Sequence, residues 1–251
     1  MSKIFARGYN IERILAFTLA EVLITLGIIG VVASLTMPTL IQNYQEKATV
    51  VKLKKIYSML SQAYQAASME NGDPTNWGLK DTPDTTSEGS RNLYNILIQP
   101  YFNVIKYCDV QPGCFYSQYS KTLQGDEFKE NFDTNRRIKF VLNDGIIMMV
   151  SSYSSKCSYD DGYHVLDPFC GNVMLDINGK KSPNTFGIDI FQFLITKDSL
   201  LPDGINKTMS NVPTTNGRFV SGWTTGWVIQ NENLDYLHCS GLDWSTKTKC
   251  K

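Results

Sequence analysis

The sequence predicts an α+β protein in which one long N-terminal helix precedes an antiparallel sheet. Two observations predict this fold. Apolar residues fill the stretch from Ile14 to Ile41, where Glu21 is the only charge, and an amphipathic helical pattern continues to about Glu70. Short apolar runs separated by turn residues follow, which is the pattern of consecutive antiparallel strands.

The composition excludes some classes of protein. With 251 residues, the chain has room for one domain of ordinary size and an appendage. Its formal net charge is zero and 19% of its residues are charged. A disordered chain would be poorer in apolar residues, and a nucleic-acid-binding domain would show a basic excess. We therefore expect a folded body and no nucleic-acid partner.

The N-terminal apolar run has the length of a transmembrane helix. It extends from Phe17 to Met37, and a bilayer span needs about 20 residues. A basic segment precedes it, and such a segment stays in the cytoplasm. A secretory signal would have a shorter apolar core with a small-residue cleavage site after it. A plain signal anchor would not explain Glu21, because an acidic side chain inside a membrane span costs free energy. Such a residue is therefore first interpreted as a functional one.

The segment Ala16-Phe17-Thr18-Leu19-Ala20-Glu21, followed by VLITLGIIGVVA, resembles the class III signal of type IV prepilins and type II secretion pseudopilins. The resemblance covers about residues 8–70. It implies that a prepilin peptidase cuts between Ala16 and Phe17 and methylates the new amino terminus. It also implies that Glu21 acts in assembly by pairing with the Phe17 ammonium of a neighbouring subunit. The family usually has Gly before the cut, where this chain has Ala16.

The same resemblance implies the organisation of the chain. Residues 1–16 would be a leader, 17–38 the transmembrane half of a spine helix, 39–72 its soluble half, and 73–251 a globular pilin-like head. Pro38 stands where the family often has a helix-kinking proline.

The implied function is that of a structural subunit of a type IV pilus or a type II secretion pseudopilus. The large head favours a minor subunit. Its partners would be the peptidase, other subunits and the assembly platform of the inner membrane, and the filament would be periplasmic or on the cell surface. The alternative is a bitopic, membrane-anchored binding protein that forms no filament. The head shows no recognisable catalytic motif, so we predict no enzyme.

The soluble half of the predicted helix has one apolar face. Its members recur at spacings of three and four residues: Leu53, Ile56, Leu60, Ala63 and Ala67. Turn residues follow at 71–74. This predicts a helix that packs on the head, with a coiled-coil stalk as the alternative.

Several elements of the head can be predicted. The runs 138–142 and 146–150 flank Asn143-Asp144-Gly145, which is a strong hairpin signal. Further strands are predicted at 172–177, 187–195 and 227–230, and a short helix at 93–98.

An even number of cysteines in an exported domain predicts disulfides. The absence of a CxxC pair disfavours the alternative of a zinc site. Sequence order favours three local pairs over the other pairings: Cys108–Cys114, Cys157–Cys170 and Cys239–Cys250. The C-terminal segment to Cys250 resembles the disulfide-bounded ends of pilin heads, which are often exposed, so the resemblance implies that the Cys239–Cys250 loop is a contact region.

The loop between the strands predicted at 172–177 and 187–195 concentrates oxygen ligands. Asp176, Asn178, Asn184 and Asp189 could bind calcium, which takes 6–8 oxygens. Some pseudopilins hold calcium in a loop of the head, so the resemblance supports this interpretation. The alternative is a plain connection in which these side chains bond their own backbone.

Overall fold

The structure is a computed structural model that describes residues 18–116, 120–127, 131–133, 135, 137–160, 168–205, 214–215, 218–219 and 224–250. The chain divides into two compact units, Met1–Gln45 and Glu46–Lys251. Helix α1 spans Leu19–Asn71 and includes Pro38. Among the described residues, it is the one helix long and apolar enough to cross a membrane.

The second unit contains an antiparallel sheet. In the described part of this unit, six strands pair in chain order, so that each strand lies beside the next. They are β1 (Val104–Asp109), β2 (Ile138–Leu142), β3 (Ile147–Ser152), β4 (Phe169–Asp176), β5 (Ile190–Thr196) and β6 (Leu200–Pro202). The smaller elements are α2 (Glu88–Leu93), β7 (Thr214–Thr215), β8 (Arg218–Phe219) and α3 (Thr224–Asn231).

The soluble half of α1 packs on the inner face of this sheet. All five residues of the predicted apolar face are at most 2% exposed. They share one core with alternate residues of the strands, among them Phe140, Val150 and Phe193. The Tyr57 ring stacks on Phe193 with ring centres 5.6 Å apart. The prediction of a helix packed on the head is therefore confirmed, and α1 ends at Asn71, the first of the predicted turn residues.

A second apolar cluster covers the outer face. Ile147, Met149 and Met174 point away from α1 and pack with aromatic residues such as Phe115 and Phe132 from the connection between β1 and β2. Both faces of β3 and β4 are consequently buried, whereas the edge strand β1 exposes Ile105 and Tyr107.

A buried lysine anchors this outer connection. Lys139 of β2 is fully buried, and its ammonium donates to the backbone carbonyls of Val110, Asp133 and Asn135 at 2.8–3.1 Å. The carboxylate of Asp133 in turn accepts from the backbone N–H groups of Gly113 and Phe115. These bonds hold the connection against the sheet.

Most predicted elements of the head are present. The hairpin, the strand at β4 and the strand at β5 are confirmed, and β5 begins at Ile190 because residues 187–189 form the end of a turn. The short helix begins earlier than predicted, at Glu88, and continues as a wider helical turn over Tyr94–Ile98.

The strand predicted at 227–230 is wrong, because these residues lie in α3. A short apolar run does not distinguish a buried strand from a buried helix. The tertiary packing of this segment is tight. Trp227 and Val228 are fully buried, and Gly226 lies so close to the backbone of Ile205 that a Cβ would clash at 2.3 Å.

All six cysteines of the sequence are paired. The disulfides are Cys108–Cys114, Cys157–Cys170 and Cys239–Cys250, as sequence order predicts. Each closes a local loop in the second unit.

Candidate functional site

The N-terminal half of α1 exposes an apolar surface. Large side chains from Leu19 to Ile41 are 40–77% exposed, and they include Leu26, Ile29 and Leu35. A soluble protein rarely leaves a contiguous apolar surface of this kind uncovered. Lipid or the helices of other proteins are the environments that would cover it.

Glu21 lies at the start of this surface and caps its own helix. Its carboxylate accepts from the backbone N–H and the hydroxyl of Thr18, each at 2.8 Å. The hydroxyl of Thr18 accepts in return from the backbone N–H of Glu21 at 3.2 Å. This reciprocal pair is a capping box, which satisfies helix donors that lack a partner in the first turn. The T-x-x-E spacing of Thr18 and Glu21 is the sequence signal from which the box could be predicted.

The predicted cleavage site lies before the first described residue, Thr18. Ala16 and Phe17 lie outside the described residues. Their roles stay predictions from the sequence.

The four predicted calcium ligands come together in the loop between β4 and β5. One oxygen of Asp189, Oδ2, accepts from the side-chain amide of Asn178 and from the backbone N–H of Asn184, each at 2.9 Å. Its other oxygen accepts from the backbone N–H of Thr185 at 2.6 Å. Oδ1 of Asp176 accepts from the backbone N–H of Asn178 at 3.1 Å.

Several oxygens of this loop have no partner among the described residues. They are Oδ2 of Asp176, Oδ1 of Asn178 and Oδ1 of Asn184, and all three atoms are buried. Asp176 is 0% exposed and Asn184 is 8% exposed. A buried acceptor without a donor is uncommon in proteins and calls for a missing partner such as water or an ion.

The electrostatics of the loop also favour a positive charge. Burial, followed by the nearby charge of Asp189, raises the pKa of Asp176 to about 8. Burial also raises the pKa of Asp189, although the hydrogen bonds from Thr185, Asn184 and Asn178 oppose this effect. The ammonium of Lys52 is the nearby cation, but it donates to the backbone carbonyl of Ile177 at 2.6 Å.

The loop therefore fits a hard cation with oxygen ligands. Calcium accepts carboxylate and amide oxygens without nitrogen or sulfur donors. Among the described residues, no group of three or more His, Cys, Asp or Glu side chains is placed to hold a metal. Neutral amide oxygens would have to complete the shell here.

The C-terminal loop closed by Cys239–Cys250 is anchored on the head. The backbone N–H of Cys250 donates to Asp235 at 2.5 Å, and the Trp227 and Trp244 rings meet edge to face. Near its start, His238 lies 2.9 Å from the carboxylate of Glu46 on α1. The tip, which includes Ser245 and Lys247, is exposed. The predicted contact region is thus accessible at its tip.

The sequence model of a family of unknown function, DUF6613, matches residues 39–234, which is more than half of the chain. The protein belongs to this family. The match includes the soluble half of α1, the whole sheet and the loop from Asp176 to Asp189. It ends before Cys239. No curated protein and no solved structure matches the chain.

Two features of the DUF6613 head could not have been found by motif. Lys52 of α1 reaches the loop between β4 and β5 only in the folded chain, because its partner Ile177 is 125 residues away in sequence. Lys139 shows no pattern that separates it from an exposed strand lysine. Tertiary contacts alone identify both residues.

Proposed function

We propose that this protein is a subunit of a filament of the type IV pilus or type II secretion pseudopilus kind, and that it is made as a membrane-anchored precursor. A prepilin peptidase removes residues 1–16 and methylates Phe17. The mature chain then leaves the inner membrane and joins the filament through the N-terminal half of α1. The size of the head favours a minor subunit.

One observation carries this proposal. The single helix α1 has an uncovered apolar half that begins with Glu21, and a soluble half whose apolar face is buried in a disulfide-bonded head. An anchor alone needs the apolar half but no acid within it. A subunit that exchanges lipid for neighbouring helices needs both, because a charge in an apolar setting requires a partner of opposite sign.

The alternative is a bitopic binding protein whose head acts at the membrane surface. It would keep its leader, and it would tolerate the loss of Glu21. The exposed apolar half of α1 is compatible with both functions. They differ in whether the leader is removed, so cleavage of residues 1–16 distinguishes them.

The test is co-expression with an active prepilin peptidase, followed by intact mass measurement and N-terminal sequencing. We expect a mature chain that begins at N-methylated Phe17. A catalytically inactive peptidase is the control and should leave residues 1–16 attached.

Two variants of the residue before the cut sharpen this test. Ala16→Gly places the residue usual in the resembled family and should be processed at least as completely as the wild type. Ala16→Leu should block the cut, because a bulky residue replaces a small one. An intact N-terminus in both the wild type and Ala16→Gly would contradict the proposal and favour the bitopic binding protein.

A further inference from the structure

We propose that strand β1, at one edge of the sheet, binds an extended segment of a partner protein in which apolar and acidic side chains alternate. The segment would join the sheet as a further strand, so that main-chain hydrogen bonds provide affinity and side chains provide selectivity. This inference concerns the head alone, and it depends neither on the proposed cleavage nor on a filament.

The two edges of the six-stranded sheet differ in how they are protected. At one edge, β6 has three residues, ends in Pro202 and is mostly buried. Short edge strands and prolines are devices that prevent pairing with another chain. At the other edge, β1 has six residues, and three consecutive ones, Ile105–Tyr107, are exposed. In the described part of the sheet, β1 is therefore the edge that is open to a further strand.

The exposed part of β1 includes apolar side chains that the fold leaves in water. Among the described residues outside α1, Ile105 and Tyr107 are the two exposed large apolar side chains, at 64% and 46%. The Tyr107 ring lies against the ring of Tyr94 with centres 4.6 Å apart, yet nearly half of its surface stays exposed. An added strand would cover both side chains.

Successive residues of β1 present different chemistry to the two faces of the sheet. Tyr107 pairs with Phe140, which belongs to the core on the side of α1. Lys106 pairs with Val141, which packs on the outer cluster. Paired residues of neighbouring strands place their side chains on the same face. The side chains of an added strand would alternate in the same way, with apolar ones beside Tyr107 and the others beside Lys106.

The outer side of this edge is positively charged. The ammonium of Lys106 donates to the backbone carbonyl of Gly113 at 2.8 Å, and the ammonium of Lys180 donates to the same oxygen at 3.0 Å. The two ammonium groups are therefore neighbours and repel each other. In the described part of the chain, neither of them forms an ion pair. Carboxylates on the outer side of an added strand would relieve this repulsion.

The same charges argue against a second copy of the chain as the occupant. An antiparallel pair of β1 strands that matches Ile105 with Tyr107 would place one Lys106 directly opposite the other. Like charges opposite each other destabilise a strand pair. The pairing of β1 with β2 is also irregular on both sides of Lys106 and Tyr107, which limits the length available to a further strand. We therefore expect a short acidic segment at this edge.

The experiment uses the full chain in a non-ionic detergent and a fluorescently labelled peptide of alternating valine and glutamate. Fluorescence anisotropy should show saturable binding at millimolar or lower concentration. Hydrogen exchange should slow at Ile105–Tyr107 when this peptide is added, because backbone groups of β1 become paired.

Two control peptides separate the contributions. A peptide with lysine in place of glutamate should bind at least about tenfold more weakly, because like charges then face each other. A glutamate peptide that is N-methylated at alternate residues should not bind, because it lacks the main-chain donors along one side.

Variants of the chain test the same contacts. Lys106→Glu combined with Lys180→Glu should reverse the preference, so that the lysine peptide binds more tightly than the glutamate peptide. Ile105→Thr should weaken binding of the glutamate peptide at least about threefold, because less apolar surface is covered. Lys55→Glu and Val51→Thr change exposed residues of α1 and should bind like the wild type.

Three results would overturn the proposal. One is a wild-type chain that binds no glutamate peptide at millimolar concentration. The second is equal binding of the glutamate and lysine peptides, which would mean that the charges of this edge select nothing. The third is a wild-type chain that dimerises in detergent and becomes monomeric with Ile105→Thr, because a second copy would then occupy β1. The first two measurements use the wild type, so a misfolded variant cannot leave the question open.

Discussion

Glu21 combines two properties at the start of α1 that substitution can separate. Its carboxylate closes the capping box with Thr18, and its negative charge is the only one in the apolar half of the helix. The first property belongs to the helix of one chain. The second is the property that pairing with a neighbouring subunit would use.

We expect Glu21→Gln to be cleaved normally but not incorporated into filaments. Glutamine can still accept from Thr18, so the cap survives while the charge is lost. The matched variant Thr18→Ala loses the cap, worth about 0.5–2 kcal/mol, but keeps the charge and should be incorporated. Immunoblots of sheared filaments and of the membrane fraction measure both outcomes. Incorporation of Glu21→Gln at the wild-type level would argue against a role for the charge.

Asp176 predicts a pH dependence of stability in the absence of calcium. Its pKa is about 8 in the folded protein, above the usual value of 3.8, because of burial and the charge of Asp189, which the charge of Lys52 only partly opposes. The folded state therefore holds the proton more tightly than the unfolded state. This contribution to stability is complete below pH 4 and is lost as the pH rises through 8.

The measurement is urea unfolding in chelator between pH 5 and pH 8. As the pH rises, we expect the free energy of unfolding of the wild type to decrease relative to that of Asp176→Asn. A constant difference between the two proteins over this range would show that Asp176 is already ionised in the folded state.

At the scale of elements, the soluble half of α1 is defined by its buried face. Leu53, Ile56 and Leu60 are at most 1% exposed, whereas Val51 on the same helix is 69% exposed. Burial of a leucine side chain contributes about 1.5–3 kcal/mol relative to leaving it in water. The helix depends on the sheet for stability more than on its own propensity.

We predict that Leu60→Ala lowers the free energy of unfolding by about 2–5 kcal/mol, because it removes fully buried methyl groups and leaves a cavity. Val51→Ala is the matched control on the exposed side and should change it by less than about 0.5 kcal/mol. Urea unfolding of the full chain in detergent measures both. Equal effects of the two substitutions would mean that this face of α1 is not packed on the sheet.

The secondary-structure elements differ in whether a local sequence pattern predicts them. The hairpin β2–β3 could be predicted because Asn-Asp-Gly between apolar runs is a local signal, and Gly145 has a positive φ of 83°. The segment of α3 has no such signal. Its helix follows from the close approach of Gly226 to Ile205, a contact between different parts of the chain.

At the scale of the whole molecule, membership in DUF6613 and the N-terminal segment concern different parts of the protein. The family match begins at residue 39, after the apolar run and Glu21. The match includes the head up to residue 234 and with it the loop between β4 and β5. The proposed cleavage and assembly depend on residues before the match.

Properties that arise from local order along the chain could be predicted before the structure was known. These are the apolar run with a single acid, the buried face of α1, the hairpin, the three short-range disulfides and the clustering of oxygen ligands between two strands. Each depends on residues that are close together in the chain, so spacing and residue type suffice to predict it.

Long-range packing determines which of these groups meet and which polar atoms stay without a partner, so local patterns could not predict either. Three features join distant parts of the chain. They are the burial of both faces of β3 and β4, the anchoring of a connection by Lys139 and the approach of Lys52 to the carbonyl of Ile177. The difference between the two carboxylates of the loop between β4 and β5 has the same origin. Asp189 accepts two hydrogen bonds from the backbone and one from the side-chain amide of Asn178, whereas Oδ2 of Asp176 is buried without a partner among the described residues.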